Sequence, residues 1–526
     1  MWKGDPSGKG FYTETVLNSS IVNVNTFGQW GSFTADGIVM AQPLYVNNVN
    51  MGSLGTHNLI LIATENDSIY AIDADNPHGG SLWERHYLDS DDGITSLPDS
   101  FGGRTTLGPE AGITGTPYID PTTGIMYFVT ALEDNGVPQQ WLHSIDIRTG
   151  LDAGAGRMLI QTSVPGTGDA NVGGVISFDP SIHNQREGIT ESNGSLIVSF
   201  GSFSDHGPYH GWLMAFNPQT LALQAVYNPT TEYQAFDYVS GSAAHGGGGG
   251  FWGGGAAPGV DSSGYIYVDS ANGSFNADTG GSNYGNTLIK LSLTNGAFQV
   301  LDTFTPFDDG CTDLADLELG SGGIAFLPND SFTNTTNYAI TLSKEGRLFL
   351  VNTTNLGKFN PAGDTQIPQE ILVGLQSCST TTTPSAADGA TWNRLYGNAA
   401  YWNGNVYVGA SNLPLKQYQF QNGLLSPAPI ATSPTAYGFR GGNSVVSANG
   451  TQNAIVWTYE KTVAGLGILH AYDANYVSTE LWNSNQNSLR DALGEGIGFM
   501  TPVVANGRVI VAYDDTVAVY GQLQAQ

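Results

Sequence analysis

The chain has 526 residues, with 46 acidic against 17 basic side chains and a formal charge of −29. A surface of that sign repels phosphate backbones and anionic lipid, which argues against nucleic-acid or membrane-surface binding. Hydrophobic content of 40%, charged content of only 12% and 70 glycines exclude disorder, and favour many short strands over helical bundles.

One strand-and-turn phrase recurs at residues 63–73, 140–150 and 211–220, each time a short apolar stretch followed by polar residues. Recurrence of a single supersecondary unit is the signature of a repeat architecture. Eight units follow in chain order, each opening on a small-residue inner strand. The first runs from residues 41–46 to Trp83, the second opens at 112–120, and the third covers 175–179 through Leu223. The fourth opens at 253–258, the fifth at 320–326 and the sixth at 397–401. The seventh spans 443–446 to Trp482, and the eighth holds 500–504 and 509–513.

The last unit lacks an outermost strand, and residues 27–33 offer a spare one to pair with 516–520. The expected fold is therefore all-β: an eight-bladed β-propeller of four-stranded antiparallel blades, closed by N- and C-terminal strands. Seven blades is the alternative count, because residues 360–391 blur the sixth boundary. Residues 1–22 are expected to be an N-terminal extension and 23–523 a single propeller domain. The glycine run 246–255 reads as a loop or a tight inner-strand approach.

Cys311 and Cys378 suit either one disulfide or two separate buried thiols. Asn18, Asn66, Asn193, Asn272, Asn329, Asn334, Asn352 and Asn449 each open an Asn-X-Ser/Thr sequon, which supports a secreted glycoprotein. No apolar run is long enough to span a bilayer, and the start carries no signal-peptide core. The expectation is an extracellular, monomeric mature form whose leader has been replaced by Met1.

The Trp-bearing repeat resembles the quinoprotein propellers, those of pyrroloquinoline quinone (PQQ). Four stretches resemble the cofactor site of quinoprotein alcohol dehydrogenases. Phe251-Trp252-Gly253 and, downstream, Ala271-Asn272-Gly273 are similar to a Trp floor for the quinone and an Asn ligand to calcium. An indole face suits a flat ring, and an amide oxygen suits a hard cation. Asp205, ahead of Gly211-Trp212, is similar to an acidic calcium ligand. Thr305-Pro306 followed by Asp313 and Asp316 resembles the stretch with the catalytic base, and Asp316 is the better match. Lys344, ahead of Gly346, resembles the cation that contacts the quinone oxygens. The departures are the missing adjacent Cys pair, the missing acid near Met40 and the absence of a haem-attachment motif.

The resemblance implies a PQQ- and calcium-dependent dehydrogenase of alcohols or sugars. Asp205, Asn272 and Asp316 would hold calcium, Asp316 would take the hydroxyl proton, Lys344 would offset charge, and Trp252 would seat the ring. The cofactor alternatives are calcium alone or none. A rival reading is a polysaccharide lyase or glycoside hydrolase built on His206, Tyr209, His210 and His245, with His183 near. Arg186, Arg394 or Arg440 would then neutralise a uronate. The third reading is a non-catalytic propeller that binds a glycan or a protein.

Overall fold

The computed structural model describes residues 1–98, 110–234, 246–328, 337–374, 378 and 393–523. These form an eight-bladed β-propeller of small antiparallel sheets. Blade 1 consists of Leu44–Asn50, Thr56–Ala63, Ser68–Asp73 and Ser81–His86, from the axis outward. Blade 2 is built on Tyr118–Ile119, Ile125–Asp134, Val137–Asp146 and Asp152–Leu159. Blade 3 holds Thr190–Ser192, Ser195–Ser202, Trp212–Phe216 and Leu223–Tyr227.

Blade 4 follows with Gly259–Val260, Ile266–Asp269, Leu288–Thr294 and Ala297–Thr305. Blade 5 has Ala325–Leu327, Tyr338–Leu342, Arg347–Asn352 and Gln369–Leu372. That outermost strand lies inside the stretch that blurred the count. Blade 6 has Ala400–Trp402, Asn405–Val408, Pro414–Gln421 and Ala431–Ala436. Blade 7 is Gly442–Asn449, Gln452–Lys461, Gly467–Asp473 and Glu480–Asn483.

Blade 8 takes Val503–Ala505, Arg508–Tyr513 and Thr516–Gln522 from the carboxyl end and Phe27–Thr34 from the amino end. The joining register runs antiparallel from Phe27 opposite Gln522 to Thr34 opposite Thr516. The Phe27 ring, fully buried, meets Trp457, Trp482 and Tyr520 at centroid distances of 5.5, 5.0 and 6.4 Å. One strand thus closes the ring and ties blades 7 and 8 through an aromatic cluster.

Neighbouring blades cover both faces of each middle strand, so Ser195–Ser202 is buried along its whole length. Middle strands therefore read as continuous apolar runs instead of alternating ones. The recurrent phrase is the third strand and its turn. Asp73, Asp146, Asn217, Asn352 and Asp473 end or follow third strands, and each accepts a hydrogen bond from the backbone N–H two residues on. The carbonyl just after this Asx residue then receives a donor from the preceding blade. Trp83 Nε1 donates to Ile147 O at 2.9 Å, and Tyr127 OH to Pro218 O at 3.1 Å. Tyr267 OH reaches Thr353 O at 3.5 Å, and Tyr407 OH reaches Ala474 O.

One detail differs from the sequence reading. Val175–Ser177 is not the inner strand of blade 3; it pairs with Ser163–Pro165 in a separate hairpin. Thr190–Ser192 takes the inner place, because it pairs directly with Ser195–Ser202 across a tight turn. The chain start packs along the propeller. Pro6, Ser7, Lys9 and Gly10 offer carbonyls to Val260, Phe326, Tyr401 and Val446, and Phe11–Thr13 pairs in parallel with blade 7. This strap crosses blades 4 to 7 in turn. Cys311 and Cys378 form a disulfide, with Cα atoms 5.9 Å apart.

Substituting Phe27→Ala removes the ring that closes the propeller, and is expected to cost about 3–5 kcal/mol of stability by urea denaturation. A loss below about 1 kcal/mol would mean that closure does not depend on this cluster.

Candidate functional site

The inner strands and the loops that lead into them surround a cavity of about 280 Å³. Its wall brings together Asp205, Trp252, Asp316 and Lys344, drawn from blades 3, 4 and 5. A larger cleft of about 470 Å³ lies beside the strap, lined by Phe11, Phe326, Tyr338 and Trp402. It lacks the convergent charged groups of the axial cavity, which is therefore the candidate site.

Glycines set the position of Trp252. A Cβ on Gly201 would lie 2.7 Å from the indole, and one on Gly250 2.5 Å, so side chains at those positions would displace the ring. Tyr209 meets the indole edge-on at 5.7 Å, and Trp252 Nε1 donates to Ser202 O. The glycine run is a packed approach: Gly249 N–H bonds Asn272 O at 2.7 Å, and Ala271 N–H bonds Gly250 O at 2.9 Å. Trp252 and Asn272 consequently lie on two segments zipped together.

Asp316 occupies the left-handed cap of the short helix Asp309–Ala315, with φ of 55°. Its turn is pinned to the blade 5 hairpin by Lys344 N–H on Glu318 O. The Lys344 ammonium bridges Asp316 Oδ1 at 2.7 Å and Glu318 Oε1 at 2.5 Å. Arg394 Nη1 lies 3.4 Å from the other oxygen of Asp316. Burial opposes the Lys344 charge, but Asp316, Glu318 and Asp205 outweigh it and raise its pKa. Burial likewise works to raise Asp316, yet Lys344 and Arg394 hold its carboxyl below the usual range. Burial pushes Glu318 up to about 7, with Lys344 pulling it back and Asp316 and Asp205 pushing the same way as burial.

Asn272 is buried one hydrogen bond behind this pair: its Nδ2 donates to Glu318 Oε2 at 3.2 Å, and its Oδ1 has no partner. Burial also closes its sequon to a glycan in the folded protein. Among the described residues, no three His, Cys, Asp or Glu side chains converge as a metal cage. The donors available are the two carboxylates of Asp205 and Asp316 on the cavity wall and, behind them, the amide oxygen Asn272 Oδ1. Hard oxygens of this kind suit calcium, and the unbonded Oδ1 is the part of the set with nothing else to hold.

Asp313 does not line the cavity. It is buried near Gly273, whose backbone favours the charged form; burial, with repulsion from Asp309, nevertheless pushes its carboxyl well up. The His and Tyr group also lies off the cavity wall. His210 bonds Thr230 Oγ1 through Nδ1 at 3.0 Å and Asp169 O through Nε2 at 2.8 Å, so both ring nitrogens are engaged. His183 accepts from Trp212 Nε1 at 3.0 Å and bonds Asp179 O at 2.8 Å. Burial keeps both rings neutral by lowering their pKa values. Tyr209 serves as the edge contact of Trp252, and His206 sits half-buried in the adjoining turn. His245, Asn329 and Asn334 lie outside the described residues.

Sequence reasoning missed Tyr396, Phe439 and Phe499, which supply the aromatic remainder of the wall. A signal was present. Phe499 stands two residues before Thr501-Pro502, as Gly255 stands two before Ala257-Pro258, so aligning the unit starts would have found it. Glu318, two residues beyond Asp316, was not singled out.

No family model matches the sequence, and no curated protein matches it significantly. Solved structures do match. The quinohemoprotein alcohol dehydrogenase of Comamonas testosteroni superposes with a TM-score of 0.60 at 13% identity, over 100% of this chain and 81% of that one. A quinohemoprotein alcohol dehydrogenase of Pseudomonas putida HK5 gives 0.62 at 13%, over 100% and 82%. A europium-containing methanol dehydrogenase gives 0.61 at 12%, over 99% of each chain. The chain thus has the propeller fold of these dehydrogenases at 12–13% sequence identity.

Beside the cavity, Glu187 is buried against Ser199 Oγ, and burial pushes its pKa up to about 8. The folded protein keeps this proton up to about pH 8, whereas the unfolded chain releases it near the ordinary value of 4.5. Stability relative to Glu187→Gln is therefore expected to fall as pH rises between those limits and to level off above. The total change is on the order of a few kcal/mol. Urea melts of both proteins from pH 5 to 9 check it, and a constant difference would count against a neutral Glu187.

Proposed function

We propose that the protein is a secreted dehydrogenase of alcohols or sugars that uses PQQ and calcium. The supporting observation is that Trp252, Asp205, Asp316 and Lys344, singled out by motif, share one cavity. The residues suit the cofactors. Trp252 presents an indole face held by two glycines, and Asp205, Asp316 and Asn272 Oδ1 would hold the cation. When bound, the quinone supplies a two-electron acceptor and the calcium a Lewis acid.

The chain's own residues handle the proton. Asp316, kept ionised by Lys344 and Arg394, would accept the substrate hydroxyl proton as the carbon is oxidised. Glu318, at about 7, is poised to hold a proton one residue pair away. Lys344 bridges the two carboxylates and so fixes their mutual position. The disulfide supports an oxidising, extracellular compartment. The rival lyase or hydrolase reading has less support, because His210 and His183 have both ring nitrogens committed to packing partners.

Mixing the protein with PQQ and calcium is expected to raise its melting temperature and to give dye reduction with alcohols or aldoses. Asp316→Asn is expected to lower turnover about 10²–10⁴-fold. Absence of both the thermal shift and the dye reduction would overturn the proposal, and unsaturated uronate products would favour the lyase.

A further inference from the structure

Four of the chain's 17 basic side chains line one cavity, and two of them have no acidic partner. Lys344 and Arg394 engage Asp316 and Glu318. Arg186 and Arg440 do not: among the described residues, no carboxylate oxygen lies within 4 Å of either guanidinium. Arg186 is only 6% exposed, and its buried Nη2 makes no hydrogen bond. Both guanidinium groups lie over the same ring, that of Phe499, at 5.0 Å for Arg186 and 4.7 Å for Arg440. Burial brings Arg186 down to about 10; Glu65 works against this and the charge of Arg440 adds to it.

The backbone is shaped around this pair. Arg440 and Phe499 have φ of 83° and 74°, in the left-handed region that bulky residues avoid. A Cβ on Gly498 would lie 2.3 Å from Arg440 Nη1, and one on Gly255 3.0 Å from Arg186 Nη1. Glycine at both places leaves room for the two forks. In a chain of net charge −29, with acids in excess, two adjacent cations without an ion pair of their own stand out.

We propose that Arg186 and Arg440, backed by Phe499, form a carboxylate-binding subsite of the axial cavity. Guanidinium forks match the two oxygens of a carboxylate, which a neutral hydroxyl cannot offer. The carboxylate comes from a sugar acid or from a planar polycarboxylate such as PQQ. Neither arginine is among the residues that carried the quinoprotein resemblance, so the subsite does not depend on a quinone being bound.

Isothermal titration of the intact protein tests this with glucuronate, with glucose as its neutral counterpart, and separately with PQQ. Glucuronate is expected to bind where glucose does not, and Arg440→Gln to weaken it at least tenfold, with Arg440→Lys restoring part. If glucuronate does not bind and the same variant weakens PQQ tenfold, the subsite stands and its carboxylate belongs to the polycarboxylate. Arg186→Gln, checked for folding by circular dichroism, should reproduce the loss. Equal affinities in wild type and Arg440→Gln, or no binding of either anion to the wild type, would overturn the proposal. Failure of PQQ alone to bind would count against the quinone reading and leave the glucuronate result intact.

Discussion

Closure by Phe27–Thr34 is the constraint on which the rest of the molecule depends. An axial cavity assembled from the starts of different blades exists only while every blade keeps its angular place. An open ring would leave two sheet edges and let the end blades splay. Here a segment from the amino end completes the last sheet, and Phe27 locks it among Trp457, Trp482 and Tyr520. Closure is thus both hydrogen-bonded and hydrophobic.

Spacing between blades rests on a second, repeated device. The Asx residue after a third strand folds its turn so that the following carbonyl points to the neighbouring blade. A Trp or Tyr of that neighbour donates to it, as at Ile147, Pro218 and Thr353. The recurrent phrase in the sequence is therefore the imprint of an inter-blade contact. Buried polar groups of this kind are satisfied by the repeat itself, which keeps the interfaces dry and specific.

Within the cavity the charges divide into two sets. Asp316, Glu318, Lys344 and Arg394 neutralise one another in a compact network, so burial is tolerated there. Arg186 and Arg440 are held against an aromatic ring with no carboxylate of the described residues in ion-pair contact. The first set holds the Asp316 carboxyl below its usual range and the Lys344 ammonium above its own. The second places two cations on the wall of one cavity in a protein that is otherwise strongly negative.

The sequence by itself determined the repeat, the closing strand and the residues that short motifs mark, because turns, strands and a Trp–Gly step are local patterns. Trp252, Asp205 and Lys344 were legible for that reason. It ranked Asp316 ahead of Asp313, three residues away, by motif resemblance alone, and the helix cap supplies the physical reason: one faces the cavity and the other the protein interior. It could not find the partnership of Arg186, Arg440 and Phe499, which come from blades 3, 7 and 8 and meet only once the ring is closed. Tertiary structure decided these points because burial and charge pairing depend on distances between segments hundreds of residues apart.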